Sequence, residues 1–425
     1  MKPYGRKVAI LGGARIPFAR QNTAYALRSN QDMLTAALKG VVDKFQLHGE
    51  RLGEVAAGAV LKHSRDFNLC RESALSCGLS METPAYDLQQ ACGTSLETAI
   101  TVGSKIALGQ IECGIAGGVD TASDAPIGVS EGLRKILLEA NRAKTAGQRL
   151  AALAKFRPRD LAPLIPGVSE PRTKMSMGQH CEAMAKEWKI PREEQDQLAL
   201  ESHQKAAKAY DNGFFADMIV PYSGLDRDNN LRADSSLDKL AKLKPAFDKA
   251  NGTLTAGNST PLTDGASAVL LASEDWARAH GFKPQAFLSS YETAAVDFFE
   301  RREGLLMAPS YAVPRMLERN GLKLQDFDFY EIHEAFAAQV LCTLRAWEDR
   351  KFCKDRLGLD KPLGAIDRSR LNIHGSSLAV GHPFAATGGR VLATLAKIIA
   401  ENGGGRGLIS ICTAGGMGVT AIVEG

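Results

Sequence analysis

Val391-Leu-Ala-Thr-Leu-Ala-Lys-Ile-Ile399, Asn402-Gly-Gly-Gly-Arg-Gly407 and Leu408-Ile-Ser-Ile411 follow one another near the C-terminus. Val391, Leu392, Leu395, Ile398 and Ile399 recur on one helix face, the glycine run ends that helix, and the short apolar run reads as a buried strand. Helix, turn, strand is a unit of layered α/β folds. The unit occurs once before: a helix from Ser95 to Leu108, a turn, then a strand from Cys113 to Ala116 ending in Gly117-Gly118, much as the later strand leads to Gly415-Gly416. A duplicated α/β half is therefore expected. Further out, Val8 to Leu11 and Glu54 to Val60 read as strands and Asp32 to Phe45 as a helix.

The chain has 425 residues, more than one hydrophobic core usually organises. Apolar residues at 44%, charged residues at 24% and a net charge of +4 describe a soluble globular enzyme and argue against a nucleic-acid partner. The eight cysteines form no CxxC pair, and Cys70 and Cys77 stand too far apart for half a zinc site, so no structural metal is expected. Unpatterned thiols suggest a reducing compartment, read here as the cytoplasm. The first strand is too short for a signal segment, and no apolar run approaches the ~20 residues of a membrane span. From about Gly128 to Lys249 the composition shifts to charged helix formers, the mark of an inserted domain. Within it, Pro191 stands at a helix start followed by Glu193 and Glu194.

Three segments carry chemistry. Cys92 precedes Gly93-Thr94-Ser95-Leu96-Glu97, where Thr94 and Glu97 have capping-box spacing, with Leu96, Ala99, Ile100, Gly103 and Ala107 as the buried helix face. A thiol at a helix N-terminus is biased towards thiolate, although a cysteine at a tight turn is as readily a small core residue. Gly381-His382-Pro383 holds one imidazole in a rigid turn, where it could deprotonate a cysteine. Cys412-Thr-Ala-Gly-Gly-Met-Gly418 puts a second cysteine at the end of a strand, in a loop whose backbone amides can approach a ligand. Each signal is weak alone; their combination carries weight.

These segments, in this order, resemble the thiolase family. So do Arg15-Ile-Pro-Phe18, Met177-Gly178, Gly257-Asn-Ser-Thr-Pro-Leu-Thr-Asp-Gly-Ala266 and His333-Glu-Ala-Phe-Ala337, which corresponds to the family's N-E-A-F-A box. The resemblance covers essentially the whole chain. It implies an α/β thiolase fold, five-layered αβαβα, with a first half at 1–127 completed by 250–277, a loop domain at 128–249 covering coenzyme A, and a second half at 278–425. By the same resemblance Cys92 takes the acyl group after losing its proton to His382, and Cys412 exchanges the proton at the substrate α-carbon. One oxyanion hole uses His382 with a water held by the box, the other the backbone amides of Cys92 and Ala414. Met177, Phe247, Thr260, Met307, Ala335 and Phe336 would line the coenzyme A channel. No resident cofactor is implied; coenzyme A is a substrate.

The chain departs from the family at His333, where most thiolases have asparagine, and in Gln89-Gln-Ala-Cys92 around the nucleophile. The histidine variant resembles the β subunit of trifunctional β-oxidation complexes, which implies 3-ketoacyl-CoA cleavage in β-oxidation. It also points to a hydratase/dehydrogenase α subunit as partner, besides a homodimer or homotetramer. Arg134, Lys135, Arg142, Lys144, Arg149, Lys155, Arg157 and Arg159 alternate with Ile136, Leu137, Leu138, Leu150, Leu153 and Phe156. Such a basic amphipathic hairpin suits an anionic membrane, a partner subunit or coenzyme A phosphates, or is a solvated helix face. The alternatives are a biosynthetic acetoacetyl-CoA thiolase, a condensing ketosynthase, which pairs its cysteine with two histidines, and a non-catalytic lipid-binding member of the fold.

Overall fold

The computed structural model describes residues 5–301 and 303–425. In chain order, β1 (Val8–Arg15), β2 (Ala19–Arg20), α1 (Asn30–Lys44), β3 (Glu54–Ala57), α2 (Leu69–Ser76), β4 (Ala85–Asp87), α3 (Thr94–Ala107) and β5 (Cys113–Asp120) come first. A long excursion follows with α4 (Glu131–Arg142), α5 (Ala146–Leu153), α6 (Met177–Glu187), α7 (Arg192–Asp211) and α8 (Leu237–Ala241), before β6 (Thr263–Ser273) returns to the sheet. Then come α9 (Glu274–Ala279), β7 (Ala286–Ala295), α10 (Ala308–Asn320), β8 (Phe329–Ile332), α11 (Ala337–Glu348), α12 (Arg350–Leu357), α13 (Ser377–Val380), α14 (Thr387–Glu401), β9 (Arg406–Thr413) and β10 (Met417–Glu424).

The strands lie in the order β4-β3-β5-β6-β1-β7-β10-β9-β8. Only the pairs of β3 with β4 and β5, and of β8 with β9, are parallel along this path. The two halves meet where β1 pairs with β7 through Ala9 with Phe287 and Ile10 with Ala286. Their internal orders match: β1, β3, β5 and β6 take the places that β7, β8, β9 and β10 take in the second half, and a parallel bridge from Tyr330 to Leu371 stands where β4 borders β3. The expected duplication is thus visible as topology.

Three apolar cores stack between these layers. One lies between the first half-sheet and α1 and α2, and one joins β8, α6, α10 and α11. The middle core joins Leu96, Ile100, Val102 and Ile106 of α3 to Val391, Leu392, Leu395, Ile398 and Ile399 of α14. Both helices are therefore covered on almost every side, and each such leucine or isoleucine contributes ~1.5–3 kcal/mol of burial.

The helices touch at Gly388, where an added Cβ would lie 2.3 Å from the backbone nitrogen of Leu96. Backbone cannot yield as a side chain can, so Gly388→Ala should cost about 1–3 kcal/mol. A thermal scan should show a midpoint lower by several degrees; an unchanged midpoint would mean that the two helices do not cross this closely. Two expectations need correction. Gly117 and Gly118 do not end a strand but lie inside β5, which pairs with β6 as far as Asp120; glycine is required at 118 because a Cβ there would meet the Ala385 carbonyl at 2.0 Å. Pro191 is the N-cap of α7 and not its first residue, with extended backbone at φ −72° and ψ 155°.

Candidate active site

Short segments at strand and helix ends bring the distant signals together. Cys92 precedes α3, His382 lies between α13 and α14, His333 follows β8, and Cys412 is the penultimate residue of β9. The predicted helix after Cys92 is present, but Thr94 is not its cap: Gly93 takes that place, with no side-chain cap. The Thr94 hydroxyl instead accepts from the Gln90 amide at 2.9 Å and donates to the Ala91 carbonyl at 2.7 Å, bracing the turn that holds Cys92. In that turn Ala91 has φ 45°, a conformation costly for a residue with a Cβ.

His382 Nε2 lies 3.2 Å from Cys92 Sγ. Its Nδ1 lies 2.5 Å from Thr387 Oγ1, whose hydroxyl donates to the Pro383 carbonyl at 3.3 Å. A hydroxyl whose hydrogen is so engaged accepts from Nδ1–H, which leaves the Nε2 lone pair facing the thiol. The loop is pinned from three sides. Asp120 accepts from the amides of Val60, Leu61 and Ala385 at 2.7–3.2 Å, Thr263 Oγ1 accepts from the His382 amide at 3.2 Å, and Leu262 bridges His382.

Burial sets the protonation states. It pushes the Cys92 thiol up to about 12, partly offset by the backbone amide of Ala414. Burial also pushes His382 down to about 3, helped by the Arg390 charge. The expected thiolate at a helix start is therefore corrected: desolvation outweighs the helix terminus, and the resting pair is thiol and neutral imidazole. Cys412, 1% exposed, is likewise held well above the ordinary thiol range by burial, with the Cys92 charge adding to it. Consequently iodoacetamide alkylation of Cys92 in the free enzyme should speed up steadily with pH through neutrality. A rate already level below pH 6, the mark of a preformed thiolate–imidazolium pair, would contradict this assignment.

His333 is fully buried, and its ring centroid lies 4.2 Å from that of His382. Two histidines therefore face Cys92, so a histidine count does not exclude a condensing ketosynthase; Cys412 makes the distinction. The ligand atoms of Cys92, His333 and His382 lie within 4.8 Å of one another, a spacing that could hold a soft divalent ion, although this group offers no fourth protein ligand.

The residues expected to line a ligand channel gather on one side. Phe247 and Phe336 meet edge to face at 5.8 Å, and Thr260 donates to the Ala335 carbonyl from both its amide and its hydroxyl. Met177 and Phe247 are partly exposed beside the core that contains Cys412, whereas Met307 is fully buried in it and presents no surface to a ligand. Some positioning residues gave no readable motif. Glu170 accepts from the Gly415 amide at 2.7 Å, tying the inserted region to the loop after Cys412. Glu334, the acid of the His333–Ala337 box, accepts from Ser202, Asn372 and the Leu378 amide, fixing the segment that carries His333. Glu170, Ser202 and Asn372 stand in no motif that would signal such roles.

A nucleophilic thiol, a base in contact with it, a second thiol and backbone amides at the same place define an enzyme that moves acyl groups through cysteine. The model of the thiolase N-terminal domain matches residues 8–275 and that of the thiolase C-terminal domain residues 282–425. The chain belongs to the thiolase family. It is 43% identical over 426 residues to a 3-ketoacyl-CoA thiolase of Shewanella loihica, covering 99% of this chain and 97% of that one. Among solved structures it is similar to the Bacillus anthracis acetyl-CoA acetyltransferase, at a TM-score of 0.82 and 29% identity over 100% of both chains. It is also similar to human mitochondrial 3-ketoacyl-CoA thiolase in complex with CoA, at 0.81 and 28%, over 99% of this chain and 98% of that one.

Proposed function

We propose that the enzyme cleaves 3-ketoacyl-CoA to acetyl-CoA and a shortened acyl-CoA in fatty-acid degradation. The observation that carries this reading is the 3.2 Å contact of His382 Nε2 with Cys92 Sγ, made beside the buried Cys412. His382 takes the Cys92 proton and the thiolate attacks the 3-keto carbon. The C2–C3 bond breaks, its electrons go to C2, and Cys412 protonates C2 to give acetyl-CoA. The coenzyme A thiol then passes its proton to the Cys412 thiolate and attacks the acyl-cysteine, and the departing Cys92 sulfur recovers its proton from His382. In this reading the longer imidazole of His333 takes the place of the water that an asparagine box would hold, so charge developing on the thioester oxygens is met by His333 and His382 on one side and by the amides of Cys92 and Ala414 on the other. Cleavage of acetoacetyl-CoA with added coenzyme A, repeated over a ladder of chain lengths, tests this. No cleavage at any length would reject it and leave a binding protein.

Met177, Phe247, Thr260, Met307, Ala335 and Phe336 form the coenzyme A region in this reading, Met307 from beneath. Phe336→Ala should raise the KM for coenzyme A several-fold by lost packing; an unchanged KM and kcat would remove Phe336 from the site.

The hairpin of α4 and α5 supports membrane or partner attachment and a preference for longer chains. Leu150 is 70% exposed, and Leu137, Leu138, Leu153, Phe156, Leu161 and Ile165 are exposed with it. Glu131 pairs with Arg134 and Lys135, and Glu139 with Lys155, so acids matter here more than composition implied. Arg142, Lys144, Arg149, Arg157 and Arg159 have no ion pair among the described residues, and at ~1 kcal/mol each they supply several kcal/mol towards anionic lipid. Flotation with anionic liposomes should weaken with salt and in the triple variant Arg142→Glu, Lys144→Glu, Arg149→Glu. Without flotation or capture of a hydratase/dehydrogenase subunit, and with activity confined to C4, the protein would be a short-chain thiolase. No helix among the described residues is long and apolar enough to cross a membrane. In this reading the protein is cytoplasmic and its membrane contact is peripheral. The half-buried edge strand β4 offers one open side, which suits self-association as a dimer or tetramer.

A further inference from the structure

We infer that Ser377 and Arg390 are positioning residues that hold His333 in its Nε2–H tautomer, so that a donor and not an acceptor is presented to the thioester oxygen. The inference rests on the proposed role of His333 as a donor. Asparagine, which most thiolases carry here, always has an amide N–H to offer. An imidazole has one at a given nitrogen only if the other nitrogen is kept as an acceptor.

The contacts supply that condition. Ser377 Oγ lies 2.8 Å from His333 Nδ1 and 2.7 Å from an Arg390 guanidinium nitrogen. A guanidinium only donates, so Ser377 accepts from Arg390. The hydroxyl hydrogen then needs an acceptor, and among the described residues His333 Nδ1 is the only one in reach. Nδ1 therefore accepts and the proton sits on Nε2. That Nε2 is buried with no partner among the described residues, as a group that meets a substrate oxygen would be. A cationic His333 is disfavoured by burial, by His382 and by Arg390.

Arg390 is itself well placed to act as the fixed end. It is 3% exposed and also donates to Ser376 Oγ at 3.1 Å; burial lowers its pKa, Glu331 and Glu334 oppose that shift, and a guanidinium remains a donor throughout. The neighbouring ring is set the other way, since Thr387 takes the Nδ1 proton of His382 and leaves Nε2 as acceptor. Two imidazoles 4.2 Å apart are thus given opposite tautomers by different hydroxyls, one for a base and one for a donor.

The test has two arms. Long-range 15N–1H correlation of the 15N-histidine-labelled enzyme, with His333 assigned by its loss in His333→Asn, should show Nε2–H for His333 and a mixture of tautomers in Ser377→Ala. An Nδ1–H signature for His333 in the unaltered enzyme overturns the inference. In thiolysis, Ser377→Ala should lower kcat about tenfold with the KM for coenzyme A within about twofold, and Ser377→Thr should restore most of it. In a His333→Asn background, whose amide needs no tautomer, Ser377→Ala should change kcat less than about twofold. A tenfold loss there as well would make Ser377 merely structural and overturn the inference. The donor role is tested apart, by His333→Ala: if kcat hardly changes there while the unaltered enzyme shows the Nε2–H signature, the donor reading fails and the tautomer assignment stands.

Discussion

Replacing Cys92 by serine should abolish thiolysis, with kcat lower by at least ~10³-fold. The size of the loss follows from the surroundings. His382 down at about 3 is too weak a base to ionise a serine hydroxyl, whereas a thiol is within its reach once charge develops in the transition state. The proton acceptor is in place at 3.2 Å, and the Ala414 amide already favours a charged sulfur. A serine oxygen is also smaller than sulfur and would sit farther from Nε2. In the proposed mechanism both half-reactions pass through the acyl-cysteine, so acyl-enzyme formation and its release to coenzyme A should vanish together. Residual thiolysis above about a tenth of the unaltered rate would mean that another thiol carries the acyl group.

Cys412→Ala should fail differently. The carbon–carbon step loses its acid and base at C2, so cleavage of 3-ketoacyl-CoA falls by at least ~10²–10³-fold. Acyl exchange between acetyl-CoA and coenzyme A touches no α-carbon. It should therefore persist within about tenfold, slowed only by loss of a proton relay for the incoming thiol. Cys412 is suited to this division: it lies in the apolar core with Met307 and Phe336, and burial keeps it protonated until the carbanion forms. Equal losses in exchange and cleavage would show that the two thiols do not divide the reaction.

Much of this architecture could be read from residue patterns, for a physical reason. Long helices buried on most faces, such as α3 and α14, show dense apolar periodicity, and the glycine turn after Ile399 marks the end of one of them clearly. Cys92, His382 and Cys412 stand out because rigid or small neighbours surround them. What stayed hidden depends on contacts distant in sequence. Whether Gly118 ends a strand or admits a crossing carbonyl is decided by Ala385. The thiol's protonation is hidden from the sequence because a helix start is local and readable, whereas desolvation is the sum of everything packed around the sulfur. Ser377 and Arg390 show no motif, since Ser377 stands 44 residues after His333 and Arg390 a further 13 along.

The central claim is that Cys92 alone carries the acyl group while Cys412 serves the α-carbon. Peptide mass spectrometry after brief incubation with acetyl-CoA and an acid quench tests it most directly, in the unaltered enzyme and in Cys92→Ser and Cys412→Ala. The account predicts an acetyl adduct on the peptide holding Cys92 in the unaltered and Cys412→Ala enzymes, and none in Cys92→Ser. An adduct on Cys412 or Cys113, or its loss in Cys412→Ala, would contradict it.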